Sequence, residues 1–441
     1  MVIDSVQNGF THKVAGIACG YAGTDDRLLR MAIGPGRDRM TPGDGGSPGR
    51  GEKPAETGAG RVPAADARLV KKCLAVFEPQ SEKFMAHFFA TLFAHNPELR
   101  PMFPLSLSES RKLVFGALTR CAWSLDQPDS LSRWLGELGR DHRKFGVTEH
   151  HYGPFCDALL ATVQAFCAGS WSAQAQVAWE RALAAITAAM TAGAAAAEGA
   201  AGEPAWWLAE VVEHDLRRPD LAVLALRPDP PLRYLAGQHV SVQVPRCPRV
   251  WREYSIASAP APGGLLRLHV RAVPGGGVST ALVHQTRPGD TVVLGRARGR
   301  MTADAVRSGQ VVCIAGGTGL APVKAIAEAL TSPARAGPGP AIRLFFGART
   351  AADLYDLPDL SRLAAARPSL TVVPVVSGEP GYRGLEGPVA DAAAAHLPPG
   401  TGDILLSGPA GMMARAAALI ATEAPAARLH ADPLPGGPWP L

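Results

Sequence analysis

The chain has 441 residues and a mass of 46.0 kDa, which allows about three domains of ordinary size and excludes a single small module. Hydrophobic residues make up 47% and charged residues 19%, so the composition is globular and excludes disorder of the whole chain. The net charge of +5, from 44 basic and 39 acidic residues, gives no indication of a nucleic-acid or acidic-membrane ligand.

The seven cysteines are dispersed, and none of them forms a C-x-x-C pair. This pattern excludes a disulfide framework, a structural zinc site and a plant-type iron–sulfur centre, and it favours a reducing compartment. No N-terminal stretch combines basic residues, an apolar core and a cleavage site, and the longest uncharged apolar run, Ala182–Ala197, is short for a bilayer. We therefore expect a soluble, cytoplasmic protein without a membrane partner.

The first 64 residues are poor in side chains that form a core. Of the 30 residues in Ile33–Val62, 13 are Gly or Pro, and no aromatic residue occurs in Ala22–Val76. Such a segment buries too little apolar surface to offset its ordering entropy. Residues 1–64 are therefore predicted to form a disordered leader.

Residues 65–197 have the helical periodicity of an all-α domain. The small-residue stretch Thr191–Pro204 predicts the end of the last helix and then a linker, which we place at residues 198–205. The apolar stripe of that last helix is formed by Trp179, Leu183, Ile186 and Met190.

Two β-containing segments follow the linker. Apolar and polar residues alternate in stretches such as Val240–Val244 and Leu266–Val270, so residues 206–307 are predicted to form an antiparallel β-barrel. In residues 308–441, apolar strands alternate with Ala-rich helical segments, which is typical of an α/β domain with a parallel sheet. The predicted fold is multidomain: an all-α domain, then the barrel, then the α/β domain.

A glycine-rich turn opens the α/β domain. It follows the strand Val311–Ala315 and precedes a helix, Val323–Leu330. Glycines let the backbone approach a pyrophosphate, which the N–H groups of a helix start can bind. A tight turn without a ligand is the alternative, and the strand–turn–helix order favours a nucleotide. The turn consists of Gly316, Gly317, Thr318, Gly319, Leu320, Ala321 and Pro322.

The barrel contains two further candidate motifs. Arg252-Glu253-Tyr254-Ser255 places a planar cation, an aromatic ring and a hydroxyl on one strand, where they can hold a phosphate and a flat ring. An ordinary half-buried strand is the alternative. The segment Gly275–Thr280 offers a backbone nest for a second phosphate, or is simply a glycine-rich hairpin.

These motifs, together with Ser407-Gly408-Pro409 after the last core strand, occur in the order found in the ferredoxin–NADP reductase superfamily. The chain resembles that superfamily over residues 206–441. The resemblance implies that Arg252, Tyr254 and Ser255, with the neighbouring Glu253, hold FAD in the barrel. It also implies that Gly277 and Ser279 hold the FAD pyrophosphate. The turn Gly316–Pro322 would bind the phosphates of NADH or NADPH, and Gly408 and Pro409 would line the nicotinamide end.

A flavin that releases single electrons needs an acceptor, and a haem in the helical domain is the natural one. His142 lies on an apolar helix face with Trp134, Leu138 and Phe145, and a core histidine is the alternative interpretation. The segment Phe88–Pro104 resembles the flavohaemoglobins from their second helix to the phenylalanine that packs on haem. The resemblance implies a globin domain with haem b, in which Phe103 packs on the porphyrin.

The same resemblance makes His142 the proximal iron ligand and Tyr152 the tyrosine that contacts it. His150 and His151 compete for the ligand role but are expected near the start of the next helix. His87 and His95 are expected at the surface.

The chain departs from the family pattern at five positions. Phe89 stands where the family usually has a distal tyrosine, and Ser110 stands near the distal glutamine position. The glutamate that partners the proximal tyrosine would fall near Ala194 and is absent. His239 stands at the flavin-side tyrosine of the barrel and is counted with the flavin site, and Leu434 replaces a C-terminal aromatic residue.

The resemblance implies an NAD(P)H-dependent oxidoreductase in which FAD reduces the haem, and in this family the product is nitrate formed from nitric oxide and oxygen. The distal departures keep two alternatives open: reduction of another small acceptor, and a gas or redox sensor. No nucleic acid is expected as a ligand, and no separate protein partner, because the acceptor is fused. Arg343 and Arg349, near the end of the second α/β strand, are candidates for a 2′-phosphate contact, or solvated arginines.

Overall fold

The structure is a computed structural model that describes residues 61–199, 203–335 and 337–432. The predicted leader lies outside the described residues as far as residue 60, and so does Leu434. The first helix begins at Ala64, one residue before the predicted start of the helical domain.

Six α-helices occupy residues 64–199. Short 3₁₀ turns precede or follow several of them, among them Pro97–Met102. The six are α1 (Ala64–Phe77), α2 (Ser81–His95), α3 (Ser108–Ser124), α4 (Pro128–His142), α5 (Tyr152–Phe166) and α6 (Ala173–Gly199).

The helices enclose an aromatic core. The rings of Phe77 and Phe84 stack with their centroids 4.0 Å apart, and the ring of Trp179 on α6 lies 6.3 Å from Phe77. The predicted stripe on α6 is confirmed, because Trp179, Leu183 and Met190 are buried. At Gly139 on α4, a Cβ atom would overlap the carbonyl group of Met190 on α6, so glycine permits the close crossing of these two helices.

Helix α6 ends inside the stretch Thr191–Pro204 that was predicted to contain its end, slightly later than the linker was placed. Its alanine-rich stretch continues the helix to Gly199, and the described chain resumes at Glu203, close to the first barrel strand. Alanine has the highest helix propensity, which explains the extension. Among the described residues, α6 is the one helix long and apolar enough to cross a membrane by length and composition, and its buried face packs in the helical core.

The barrel has six antiparallel strands and one helix in the described residues. Its sheet order is β4-β3-β6-β1-β2-β5, and the bridge between Ile256 and Leu268 joins the two outer edges. The elements are β1 (Trp207–Arg218), β2 (Leu221–Asp229), β3 (His239–Gln243), β4 (Arg252–Ser255), β5 (Leu266–Arg271), α7 (Gly277–His284) and β6 (Thr291–Leu294).

The last domain is a sheet with helices along the chain between its strands. Its order is β10-β9-β8-β7-β11-β12, with parallel pairing throughout, as predicted. The elements are β7 (Gln310–Gly316), α8 (Leu320–Leu330), β8 (Ala341–Ala348), α9 (Leu357–Ala366), β9 (Leu370–Val376), β10 (Leu385–Glu386), α10 (Val389–Ala395), β11 (Asp403–Ser407), α11 (Ala410–Glu423) and β12 (Arg428–His430).

The sheet reverses its strand order between β7 and β11. From β7 the chain builds outward through β8, β9 and β10, and it then returns to the other side of β7 as β11. Ligands of open α/β sheets bind at the carboxyl ends of strands beside such a reversal. The two loops at this point are Gly316–Pro322 and Ser407–Pro409, the motifs singled out from the sequence.

Candidate haem, flavin and nicotinamide sites

His142 is the last residue of α4, and its imidazole is partly buried. Its Nδ1 atom lies 2.7 Å from the carbonyl oxygen of Leu138. Because a carbonyl can only accept a hydrogen bond, Nδ1 carries the proton and donates it. The lone pair therefore resides on Nε2, which has no hydrogen-bond partner among the described residues.

This tautomer is the one that binds a metal through Nε2, and the Leu138 carbonyl supplies the orienting partner that metal-binding histidines normally have. Burial lowers the pKa of His142 below its usual value, which favours the neutral, ligating form. The predicted helix face ends earlier than expected, because Phe145 lies on a separate 3₁₀ turn, Arg143–Phe145. The rings of His142 and Phe145 still contact edge to face, 5.9 Å apart.

Several apolar side chains that pack against the helical core stay only partly buried. An apolar group could cover such side chains, which a closed globular core would bury outright. Together with the free Nε2 atom, this group of side chains is compatible with a haem. It includes Val114 and Phe115 on α3, Leu138 on α4, and Tyr152 and Phe155 on α5.

The predicted distal residues lie together. Phe89 is fully buried, and its ring contacts Phe103 edge to face at 5.3 Å and Phe93 at 5.6 Å. Arg100 fixes the segment that carries Phe103 by donating hydrogen bonds to the carbonyl oxygens of Pro104 and Leu105, at 3.0 and 2.9 Å. This aromatic cluster offers no hydrogen-bond donor to a ligand, as the sequence indicated. The roles of Phe89 and Phe103 toward haem stay predictions.

No hydrogen bond joins Tyr152 to His142 in the described part of the chain, and the predicted contact between them stays a prediction. No hydrogen bond to the Tyr152 hydroxyl occurs within the described residues, and the Nδ1 proton of His142 is already donated to Leu138. Glu198 on α6 lies one turn beyond Ala194, and it pairs with Arg143 at 3.6 Å. The tyrosine ring remains beside the helical core, and burial raises the pKa of its hydroxyl.

The other histidines of the helical domain lie where the sequence placed them. His150 and His151 form the 3₁₀ turn directly before α5, and Nδ1 of His151 accepts a hydrogen bond from the backbone N–H of Thr148 at 2.9 Å. His87 and His95 are exposed. His142 therefore remains the candidate iron ligand.

Strand β4 carries the predicted flavin motif at one edge of the sheet. Arg252 and Glu253 are exposed, whereas Tyr254 and Ser255 are partly buried. The Arg252 guanidinium donates one hydrogen bond, to its neighbour's carbonyl at Trp251, and its other donors remain available for a phosphate. Burial raises the pKa of Tyr254, so the hydroxyl stays protonated.

The segment Gly275–Thr280 is neither a hairpin nor an isolated nest. Gly277 begins helix α7, and Ser279 lies in its first turn. The Ser279 hydroxyl donates to the carbonyl of Gly276 at 3.2 Å and accepts from the N–H of Val273, which holds the turn before the helix. The first N–H groups of a helix have no partner within it, so the phosphate-binding prediction keeps its physical basis.

His239 is the first residue of β3 and pairs with Ser255 of β4, which places it beside the flavin motif. Its Nε2 atom lies 3.8 Å from Glu253, and its Nδ1 atom lies 3.9 Å from Asp432. Burial lowers its pKa, while the Glu253 charge opposes that effect. The pairing brings five of the predicted flavin residues onto two adjacent strands.

The nicotinamide motifs contact each other through glycines. A Cβ atom at Gly319 would lie 2.5 Å from the carbonyl oxygen of Ser407 and 2.6 Å from Cα of Gly408, so no larger residue fits there without displacement. Gly317 has a left-handed φ of +56°, and nothing lies within 4 Å of its ideal Cβ position, which leaves its backbone open to a ligand. Pro322 lies in the first turn of α8, as predicted.

The expectation for Arg343 was wrong. It is the third residue of β8, near the amino end of the strand, and its guanidinium donates to the carbonyl of His396 at 3.0 Å. It therefore lies away from the carboxyl ends, where a dinucleotide would bind. Arg349 directly follows β8 at the correct end and is exposed.

A group of polar side chains joins the helical domain to the barrel and could not be identified from the sequence. Lys144 Nζ donates to Asp141 Oδ1 at 2.9 Å and to Ser241 Oγ of β3 at 3.0 Å. Arg298 of the barrel pairs with Asp141 at 3.2 Å. The pKa of Asp141 is lowered although its burial opposes this, because the charges of Lys144 and Arg298 stabilise the carboxylate. No sequence signal links residues that stand 97 positions apart.

Three family models match the chain in the order of its domains. The globin model matches residues 86–190, the oxidoreductase FAD-binding domain model matches residues 209–302, and the oxidoreductase NAD-binding domain model matches residues 313–418. The chain is therefore an oxidoreductase that joins a globin to an FAD-binding barrel and an NAD-binding α/β domain. Haem, FAD and a nicotinamide dinucleotide are the cofactors that these domains define.

Individual proteins of known domain composition are also similar to most of the chain. The chain is 28% identical to a flavohemoprotein of Bordetella pertussis, covering 68% of this chain and 79% of that protein. A crystal structure of a flavohemoglobin from Malassezia yamatoensis with bound FAD and heme shares the fold, with a TM-score of 0.65 over 82% of this chain and 96% of that one, at 16% identity. The domain composition and order are those of a flavohaemoglobin.

The reductase half alone has relatives of higher identity. It is 37% identical to the xylene/toluene monooxygenase electron transfer component XylA of Pseudomonas putida, over 33% of this chain and 40% of that protein. It is 35% identical to the ferredoxin–NAD(P)⁺ reductase component of a naphthalene 1,2-dioxygenase system from the same species, over 38% and 48%. The chain thus spans less than half of these two proteins.

Proposed function

We propose that this protein consumes nitric oxide by oxidising it with dioxygen to nitrate, with NAD(P)H as the electron source and haem b as the globin cofactor. The overall reaction converts two NO, two O₂ and one NAD(P)H to two nitrate ions, NAD(P)⁺ and a proton. When bound, the haem supplies a site for dioxygen and for one-electron transfer, and the flavin accepts a hydride and releases its two electrons one at a time. The cytoplasmic location expected from the sequence belongs to this proposal.

One observation carries the proposal. The chain holds, on one polypeptide, a partly buried imidazole with Nε2 free for iron and the glycine turns and arginine suited to two dinucleotides. His142 would hold the iron, with its proton fixed on Nδ1 by Leu138. Arg252 would neutralise flavin phosphate charge, and the starts of α7 and α8 would donate N–H groups to phosphates. The electron acceptor is part of the same chain, so no separate protein acceptor is needed.

A second candidate function is reduction of a different acceptor. Phe89 packs against Phe93 and Phe103, so the distal side has no donor at this position to stabilise charge on a polar ligand. The higher identity of the reductase half to electron-transfer components also favours this alternative. In that case the haem would serve as a relay to another oxidant.

The two functions are distinguished by the nitric oxide balance. We expect aerobic NADH or NADPH oxidation to rise when nitric oxide is added, with two nitrate ions formed for each NAD(P)H consumed. A haem-free His142→Ala variant should lose this response. An NAD(P)H oxidation rate that does not change when nitric oxide is added, or oxidation that forms no nitrate, would exclude nitric oxide dioxygenation. The second candidate function would then remain.

A distal substitution tests the role assigned to Phe89. Phe89→Tyr adds one donor, and a hydrogen bond of about 1.4 kcal/mol is worth roughly tenfold in an equilibrium constant. We expect dioxygen to dissociate up to about tenfold more slowly from the variant. Phe166→Tyr is the control, because Phe166 belongs to the same helical core but contacts Phe84 and His87 rather than Phe103. Equal dissociation from both variants and the wild type would show that Phe89 does not face the iron.

A further inference from the structure

Lys144 is a buried ammonium group that is hydrogen-bonded in two domains at once. Only 4% of its side chain is exposed, although lysine is seldom buried. Its partners are Asp141 on α4 of the globin and Ser241 on β3 of the barrel, and Ser241 is also buried. A buried cation keeps its position only when such partners are present, because an unpaired one costs several kcal/mol.

Two aromatic rings complete the surroundings of this ammonium. Lys144 Nζ lies 5.1 Å from the ring centroid of Phe145 and 5.1 Å from that of Trp251. Phe145 contacts Trp251 edge to face at 6.2 Å and contacts His142 at 5.9 Å. Packed side chains therefore connect the candidate iron ligand with the residue directly before the flavin motif at Arg252.

Two ion pairs between the globin and the barrel, among the described residues, each have a more exposed partner. Arg298 pairs with Asp141 at 3.2 Å with 23% of its side chain exposed, and Arg296 pairs with Glu137, whose side chain is half exposed. Exposed ion pairs contribute little to stability. The hydrogen bond of Lys144 across the interface is more buried than either pair, so its loss should matter more.

We propose that Lys144 is a positioning residue for electron transfer from the flavin to the haem, because it fixes the segment carrying His142 against the strands that carry the flavin motif. The step would pass one electron from the reduced flavin to the ferric haem, with no bond to Lys144 formed or broken. The rate of electron transfer depends on the distance and packing between donor and acceptor, so a looser fit between these two segments should slow it. The inference rests on the cofactor arrangement of the proposed function but not on nitric oxide as substrate.

The test separates the two electron-transfer steps in the full chain with both cofactors bound. Lys144→Met keeps the apolar stem and removes the charge, while Asp141 retains Arg298 as a partner. After rapid anaerobic mixing with NAD(P)H under carbon monoxide, flavin bleaching should stay within about twofold of the wild type. Haem reduction should slow by about tenfold or more. Lys71→Met is the matched control, because Lys71 donates to Asp126 at 2.8 Å inside the globin, and it should change neither rate.

A second measurement does not depend on turnover. In Lys144→Met, hydrogen exchange should accelerate in residues 239–243 and 142–145, while residues 81–95 of the globin core should stay unchanged. Unaltered exchange at the interface would contradict the positioning role, and so would flavin reduction slowed as much as haem reduction.

Ser241→Ala keeps the proposal testable if Lys144→Met does not retain haem. It removes only the acceptor on the barrel, and the loss of one hydrogen bond of about 1 kcal/mol predicts haem reduction slower by roughly fivefold. Haem reduction at the wild-type rate in Ser241→Ala would overturn the proposal. Because no nitric oxide is present, a failure here is distinct from a failure of nitric oxide dioxygenation.

Discussion

Two imidazoles in different domains of this chain have the same local hydrogen-bonding pattern. In the globin, Nδ1 of His142 donates to the Leu138 carbonyl at 2.7 Å, and in the barrel, Nδ1 of His269 lies 2.8 Å from the Tyr355 hydroxyl. Neither Nε2 atom has a hydrogen-bond partner among the described residues. Burial lowers the pKa of both rings, so both are neutral near pH 7.

The two rings differ in whether a ligand can reach the Nε2 atom. His269 is 4% exposed, its Nε2 atom is enclosed, and Tyr355 packs on Phe346, so no ligand has access. His142 lies at a helix end beside apolar side chains that stay partly exposed. A carbonyl partner also fixes the tautomer at His142, whereas a hydroxyl partner can donate or accept at His269. Burial alone therefore does not identify a ligand; the tautomer and the access to Nε2 do.

The largest effect that this comparison predicts is on haem content. His142→Ala should purify with less than about a tenth of the wild-type haem, because an axial imidazole is the iron's protein ligand in this arrangement. Its NAD(P)H-dependent reduction of an artificial dye should persist, because the reductase motifs are unchanged. Haem content is read from the Soret absorbance relative to flavin.

The control variant replaces His269, the histidine whose Nε2 atom no ligand can reach. His269→Gln should retain haem and flavin at wild-type levels. In a His142→Gly variant, imidazole added to the solution should restore part of the haem absorbance, because the free ring fits the vacated space. A normal haem spectrum in His142→Ala would move the ligand to His150 or His151.

The nicotinamide site differs from the haem site because the backbone forms it, so a single added methyl group should have a large effect. Gly319→Ala would place Cβ against Ser407 and Gly408, and such overpacking costs about 1–3 kcal/mol. We expect the KM for NAD(P)H to rise by roughly 10- to 100-fold with both cofactors still bound. Gly309→Ala is the matched control, since its Cβ would meet nothing within 4 Å. An unchanged KM in Gly319→Ala would place the dinucleotide elsewhere.

The flavin site is intermediate between the haem site, which depends on one side chain, and the nicotinamide site, which the backbone forms. In the flavin site, one side chain adds to contacts made by the backbone. Arg252→Ala should weaken FAD binding by about tenfold or more, since a hydrogen bond to a charged group is worth about 1.5–3 kcal/mol. Haem content should not change. Arg227→Ala removes a barrel arginine that pairs with Glu210 at 3.0 Å, and it should keep FAD fully bound. Full flavin occupancy in Arg252→Ala, measured by titration of the apoprotein, would contradict the motif assignment.

Local patterns in the sequence predicted most of this architecture. The strand, glycine turn and helix at residues 311–330 are contiguous, so one stretch of sequence contained the whole motif, and the structure differs by one residue at each end of the strand and by starting the helix at Leu320. The end of α6 falls inside the predicted stretch but at Gly199, because alanine-rich sequence suits a helix and a linker equally in composition. The start of α7 at Gly277 was missed because three consecutive glycines are typical of turns.

Contacts between residues far apart in the chain could not be predicted from the sequence. Lys144 and Ser241 belong to different domains, and nothing at either position marks the other. The tautomer of His142 was also not predictable, because it depends on the position of the Leu138 carbonyl at the end of α4. The predictions for the haem site rest mainly on these two features, the Lys144–Ser241 hydrogen bond and the tautomer of His142.

The smallest predicted effect concerns the pH dependence of stability and involves His269. Burial lowers its pKa well below the usual value, and the nearby charges of Lys324, Arg217 and Arg267 add to the effect, while Asp359 opposes it. An unfolded histidine titrates near pH 6.5, so below that pH the unfolded chain binds a proton that the folded barrel excludes. Stability present above about pH 6.5 should therefore be lost as the pH falls.

His269→Gln removes this proton-binding difference and keeps a polar group opposite the Tyr355 hydroxyl. The midpoint of flavin release on heating should fall less between pH 7.5 and pH 5.5 in the variant than in the wild type. A change of about 1 kcal/mol corresponds to roughly 4–8 °C in a domain of about 100 residues. His214→Gln is the control, because the partly buried His214 ring donates one hydrogen bond, from Nε2 to the Leu282 carbonyl at 3.0 Å, and Nε2 is therefore not left without a partner. An equal pH response of the wild type and His269→Gln would mean that His269 is protonated within the folded barrel, and its enclosed Nε2 would then not distinguish it from His142.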